Sequence, residues 1–198
     1  MSTVRKSSSA PADRRKLIIY ATLGVVLIAI VVAVGLAQRN AIPKAASEAP
    51  IQAKLKVGDT APNFSVATNA GPFDLSQINE PVLLEVFATW CPHCQRETAT
   101  LNDLTTKYGG KVAIVAVSGS PQAMNGSDPE SQADVNAFGA QFNVRYPLAY
   151  DPDLKVAQQY LKGGFPTLVL IDKNKKVAWI KDGEVQEPEL AKAIQGVM

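Results

Sequence analysis

The chain has 198 residues, 46% of them hydrophobic and 19% charged, a balance too apolar for a disordered protein and a length too short for several large domains. The net charge of +2 hides an asymmetry: residues 1–50 hold seven basic and two acidic side chains, residues 51–198 thirteen and sixteen. The larger part therefore lacks the basic field that a nucleic-acid partner requires, and two cysteines with one histidine cannot build a disulfide scaffold or an all-cysteine zinc centre.

Arg5, Lys6, Arg14, Arg15 and Lys16 mark residues 1–16 as a basic N-terminus. Residues 17–37 (LIIYATLGVVLIAIVVAVGLA) carry no charge and show no polar face. At 1.5 Å per residue this run reaches about 31 Å, the thickness of a bilayer's hydrocarbon core. The positive flank predicts a single transmembrane helix with a cytoplasmic N-terminus and the rest of the chain outside. A cleaved signal peptide ending near Gly35-Leu36-Ala37 is the competing reading, and it exports the remainder equally. Residues 38–54, rich in Ala and Pro, read as a linker. Residues 55–198 then form one domain.

Within that domain, Phe64–Val66 and Phe73–Leu75 flank Gly71-Pro72 and predict a β-hairpin. The apolar run Val82–Ala88 predicts a strand buried on both faces. Pro92–Tyr108 favours helix, closed by Gly109-Gly110. Lys111–Val117 predicts a second buried strand, and Ser118–Glu130, rich in Gly, Ser, Pro and Asn, a loop. Helices are expected at Gln132–Phe142 and Leu154–Tyr160. Thr167–Ile171 and Lys175–Lys181 predict a hairpin turning at Lys173-Asn174, and Glu187–Val197 a closing helix. The order implies an α/β fold with a mixed central sheet. No phosphate loop, serine-nucleophile elbow or HExxH segment is present.

Cys91-Pro92-His93-Cys94 falls where the apolar strand gives way to the long helix. A helix N-terminus offers unpaired N–H groups and partial positive charge, which favour a thiolate over a thiol. The thiolate is the attacking species in thiol–disulfide exchange. Pro92 suits the first helical turn, and a protonated His93 adds further favourable charge. A structural staple is the bland alternative, but a four-residue ring stabilises little by loop entropy, and Trp90 beside it is unusual for a mere staple. A metal site from the two cysteines and His93 lacks a fourth ligand.

Glu85 stands alone in the apolar strand, six residues before Cys91. If buried, its carboxyl raises its pKa rather than carry an unpaired charge, and it can exchange a proton with Cys94. An edge-strand Glu facing solvent is the alternative. Phe165-Pro166-Thr167 leads into a buried strand, where a proline marks a bend or a cis bond.

Trp90-Cys91-Pro92-His93-Cys94, Glu85 and Phe165-Pro166-Thr167 together resemble the thioredoxin superfamily over residues 55–198. The Gly58–Phe64 opening (GDTAPNF), the hairpin and the N-terminal apolar run resemble its TlpA/ResA-like branch of membrane-anchored, extracytoplasmic thiol–disulfide oxidoreductases. The resemblance implies a thioredoxin-like fold, Cys91 as nucleophile, Cys94 as resolving thiol, Glu85 as the buried acid, and a cis Pro166 flanked by Phe165 and Thr167 where the client's backbone binds. It implies cysteine-containing exported proteins and a membrane or extracytoplasmic redox protein as partners, with no cofactor or metal. The Pro-His pair resembles DsbA-like oxidants, with Trp90, Pro92 and His93 as tuning residues, whereas the branch implies reduction, for example of apocytochrome thiols. Two other classes share some of these features: a peroxiredoxin-like peroxidase, whose Thr-x-x-Cys setting Ala88–Cys91 does not supply, and a copper-handling or chaperone domain.

Overall fold

The computed structural model describes residues 18–20, 22–30 and 53–198, and the chain divides into two units, Met1–Ala49 and Pro50–Met198. In the first, residues 18–20 and 22–30 are helical, with their apolar side chains exposed. Of the expected 17–37 span, residues 17, 21 and 31–37 lie outside the described residues, as does all of the 38–54 linker except 53–54. Among the described residues, no helix is long and apolar enough to cross a membrane.

The second unit is built on a seven-stranded sheet in the order β2-β1-β5-β4-β3-β6-β7. Its strands are β1 (Ser65–Thr68), β2 (Gly71–Asp74), β3 (Val82–Phe87), β4 (Ala113–Ser118), β5 (Leu148–Tyr150), β6 (Thr167–Ile171) and β7 (Val177–Asp182). The helices are α1 (Pro92–Tyr108), α2 (Gln132–Gln141), α3 (Lys155–Tyr160) and α4 (Glu187–Gln195). β3, β4 and β5 run parallel, and β6 returns antiparallel beside β3. A mixed α/β sheet flanked by helices was the expectation, and the hairpin at its start is present at slightly shifted bounds.

Two differences have clear causes. β5 is absent from the sequence reading because three residues are too short to show a period; it forms because β4 presents an edge to Leu148, Ala149 and Tyr150 and β1 pairs with Ala149 on its other side. Leu75 opens a 3₁₀ turn rather than ending a strand, since the Asp74 carboxylate caps Ser76 N–H at 2.9 Å.

β3 explains the architecture. All six of its residues are buried, and alternation sends Val82, Leu84 and Val86 to one face and Leu83, Glu85 and Phe87 to the other. The first face is closed by α3 and the hairpin through Tyr160, Phe64 and Phe73. The second is closed by α1, α2 and α4 through Leu101, Leu104, Phe138 and Ile194. The strand thus ends with its C-terminal edge at the start of α1, where the two cysteines lie.

Candidate active site

β3 ends at Phe87, and a tight turn through Ala88, Thr89 and Trp90 delivers Cys91 as the N-cap of α1, its N–H donating to the Ala88 carbonyl at 3.1 Å. Cys91 has extended backbone and makes no side-chain cap hydrogen bond, and Pro92 occupies the first turn. The Cys91 sulfur therefore stands at the positive end of a 17-residue helix. Cys94 sits one turn in and is fully buried, whereas Cys91 keeps 5% of its surface exposed.

The two thiols are driven apart in acidity. A hydrogen bond from Cys94 to the Cys91 sulfur, with the backbone N–H groups of Cys94 and His93, lowers the Cys91 pKa to about 6 against the pull of burial. Burial and its donation to Cys91 push the Cys94 thiol far up. At neutral pH one sulfur is a nucleophile and the other holds its proton.

The Phe165–Pro166 bond is cis, and the Phe165 carbonyl faces Cys91, whose thiol form donates to it at 3.4 Å. Trp90 stays 39% exposed, packs edge-on against Phe165 at 5.9 Å between centroids, and donates its indole N–H to Ser120 at 2.8 Å. These residues rim the approach to Cys91. Thr167, expected at the client contact, is fully buried, accepting from Lys162 N–H and donating to the Gly164 carbonyl, so its side chain shapes the 162–164 turn.

Glu85 is 2% exposed on a central strand, which removes the edge-strand alternative. Its Oε1 has no hydrogen-bond partner, and burial, reinforced by Glu97, raises its pKa well above the ordinary value. His93 is turned outward: its Nδ1 lies 3.1 Å from Glu184 and 2.7 Å from Arg96. Its charge is the least of the influences that lower Cys91, behind Cys94 and the helix's own N–H groups.

The Redoxin family pattern matches residues 56–194. The chain belongs to the Redoxin family. The thiol-disulfide oxidoreductase ResA of a Bacillus cereus strain is 31% identical over 147 residues, covering 73% of this chain and 80% of that protein. ResA of Geobacillus thermodenitrificans is 31% identical over 144 residues, covering 71% and 78%. Among solved structures, a candidate thiol:disulfide interchange protein DsbE from Chlorobium tepidum superposes with a TM-score of 0.64 at 28% identity, over 73% of this chain and 99% of that one. The peroxidoxin BcpB of Mycobacterium tuberculosis shares the fold alone, with a TM-score of 0.57 at 23% identity over 72% and 96%. With its paired thiols, this Redoxin-family chain is a thiol–disulfide oxidoreductase.

Two further residues belong to the site of this Redoxin-family enzyme and were not picked out from the sequence. Glu97 lies three residues beyond Cys94, on the same inward stripe of α1 that carries Leu101 and Leu104, and is fully buried. Its Oε2 accepts from Val185 N–H at 2.7 Å while Oε1 has no partner, and burial raises its pKa to about 7. A charge on an apolar helical stripe was the available signal. Tyr146, just before β5, buries an unpartnered hydroxyl in the same layer, and Glu85, Glu97 and Cys94 all act on it. Among the described residues, no group of three or more His, Cys, Asp and Glu side chains forms a metal cluster.

Proposed function

We propose that the chain exchanges a Cys91–Cys94 disulfide with cysteine pairs of exported polypeptides. The observation that carries this reading is the split between the two thiols: a Cys91 lowered to about 6 at the helix end beside the cis-proline carbonyl, and a buried, protonated Cys94 behind it. In the reducing direction the Cys91 thiolate attacks a client disulfide, forming a mixed disulfide and releasing one client sulfur, which takes up a proton. Cys94 then gives up its proton and attacks the Cys91 sulfur, closing the Cys91–Cys94 disulfide and releasing the second client thiol with the electron pair. Glu85 in its ionised form, made a stronger base by its raised pKa, is the acceptor for the Cys94 proton and then holds it, and Glu97 holds a second proton site on the same face. The oxidising direction runs these steps in reverse.

The lowered Cys91 favours the reduced form and so favours donation of the disulfide to clients. Equilibration against a glutathione buffer tests this direction. A potential well above about −270 mV, the thioredoxin value, is expected; a value at or below it assigns the protein to client reduction instead. Cys94→Ala should trap mixed disulfides with clients, and failure of both Cys91→Ala and Cys94→Ala to alter exchange would end the reading.

Residues 17–37 support a retained membrane anchor that holds the domain outside the cytoplasm, given the uncharged run and its basic flank. Cell fractionation tests this: the full chain should pellet with membranes and a chain lacking residues 1–37 should not.

A further inference from the structure

Residues 119–131 connect β4 to α2, and their contacts converge on the turn that carries the nucleophile. The segment starts at Gly119, where an added Cβ would come 2.6 Å from the Ala157 Cβ. It folds back on itself through Ala123 N–H to the Asp128 carbonyl at 2.8 Å and Glu130 N–H to the Pro121 carbonyl at 3.1 Å. Glu130 is 4% exposed. A carboxylate so buried is tolerated only when hydrogen-bonded, and both of its oxygens are used: Oε1 accepts from Thr89 Oγ1 at 2.5 Å and Oε2 from the Ser118 hydroxyl.

Thr89 is the residue before Trp90, and its carbonyl accepts from Gln95 Nε2 of α1 at 3.0 Å. Ser120, fully buried in the same segment, accepts from the Trp90 indole at 2.8 Å and is itself locked by Gln122, donating to its carbonyl at 3.0 Å and accepting from its N–H at 3.1 Å. Hydrogen bonds thus run from the connecting segment to Thr89, the residue before Trp90, and to the Trp90 indole itself. Nothing in the proton and sulfur steps above uses Glu130.

We propose that Glu130 is a positioning residue for client recognition: its carboxylate draws residues 119–131 onto the Thr89–Cys91 turn and so fixes the Trp90 ring beside Phe165 and cis-Pro166, where a polypeptide client arrives. The inference rests on the thiol–disulfide reading. Because Cys91 acidity is set by Cys94 and the helix N-terminus, loosening the clamp acts on docking of an extended chain and leaves the intrinsic reactivity of the sulfur in place.

The test compares two disulfides with the reduced full chain, a polypeptide disulfide and a small aromatic disulfide. It reads Trp90 emission in a Trp179→Phe background. Glu130→Ala should lower kcat/KM for the polypeptide by about tenfold, mainly through KM, while the small disulfide reacts within about twofold of wild type. Trp90 emission should shift. Glu130→Gln should restore both readouts, since the Thr89 and Ser118 hydroxyls can donate to its oxygen and accept from its nitrogen. If Glu130→Ala does not fold, Ser120→Ala removes the indole's partner together with the two Gln122 hydrogen bonds while leaving Glu130 on Thr89 and Ser118, and should produce the same selective loss in smaller measure. Equal losses on both disulfides, or no loss in either variant, overturn the proposal. A wild-type chain inert to both disulfides would instead sink the exchange reading and this inference with it.

Discussion

The two faces of β3 are made from one six-residue strand, yet they are built to different rules. On the face of Val82, Leu84 and Val86, every side chain that β3 contributes is aliphatic, and the polar tip of Tyr160 is matched to the Pro62 carbonyl. On the face of Leu83, Glu85 and Phe87, the core also contains Cys91 and Cys94, and it borders Glu97 and Tyr146. All three of the unpartnered buried side-chain atoms among the described residues, on Glu85, Glu97 and Tyr146, belong to this second side. Each such atom costs about 1–3 kcal/mol. One face therefore holds the fold, and the other gives up stability to keep proton-holding groups beside a reactive sulfur.

The comparison can be broken in several ways. The largest effect is expected from Cys91→Ala, which should reduce exchange with any disulfide to background while the urea midpoint measured below pH 6, where the thiol is protonated, hardly changes. On the opposite face, Leu84→Ala should cost about 2–5 kcal/mol of stability and leave the pH dependence of Cys91 alkylation where it was. A shifted alkylation profile in Leu84→Ala would show that the faces are not separate.

Glu85→Gln should slow the step in which Cys94 resolves the mixed disulfide by about a hundredfold, with little loss of fold. Unchanged resolution rates across pH would remove Glu85 from the proton path.

Glu97 sharpens the same point through pH. Its folded pKa is raised to about 7 from 4.5, so the stability it contributes is fully present below pH 4.5 and is lost as pH rises through 7. Cys91, lowered from 9.0 to about 6, works in the opposite sense, its contribution being present above pH 9 and lost as pH falls through 6. In a Cys91→Ala background, the urea midpoint should fall between pH 4.5 and 7, and adding Glu97→Gln should flatten that fall. The smallest effect belongs to His93→Ala, which should move the alkylation midpoint only slightly from near pH 6. A midpoint near 9 would make the histidine, rather than Cys94, the main cause of the lowered thiol.

The reactive centre was readable in the sequence because its signals are local. Cys91 and Cys94 are three apart at a strand-to-helix change, Pro92 marks the first turn, and Glu85 interrupts a run of apolar residues. Each announces its environment through its immediate neighbours. Glu97 was harder to see: α1 is amphipathic, and one acid among its many polar residues stands out only once the inward stripe is known. His93, expected to add a further favourable charge, does contribute to lowering Cys91, as the smallest of the causes, and its side chain is turned outward to Glu184, 91 residues away in sequence.

The sequence by itself determined where strand yields to helix, which sulfur stands at the helix end and which lies one turn inside it, because these follow from short-range periodicity and backbone preference. Tertiary structure alone decided that Glu85, Glu97 and Tyr146 share one buried layer, that Thr167 turns inward, that β5 exists, and that Glu130 reaches Thr89 across 41 positions. Those contacts join residues distant along the chain, and packing against β4 and α1, not any local pattern, brings them together.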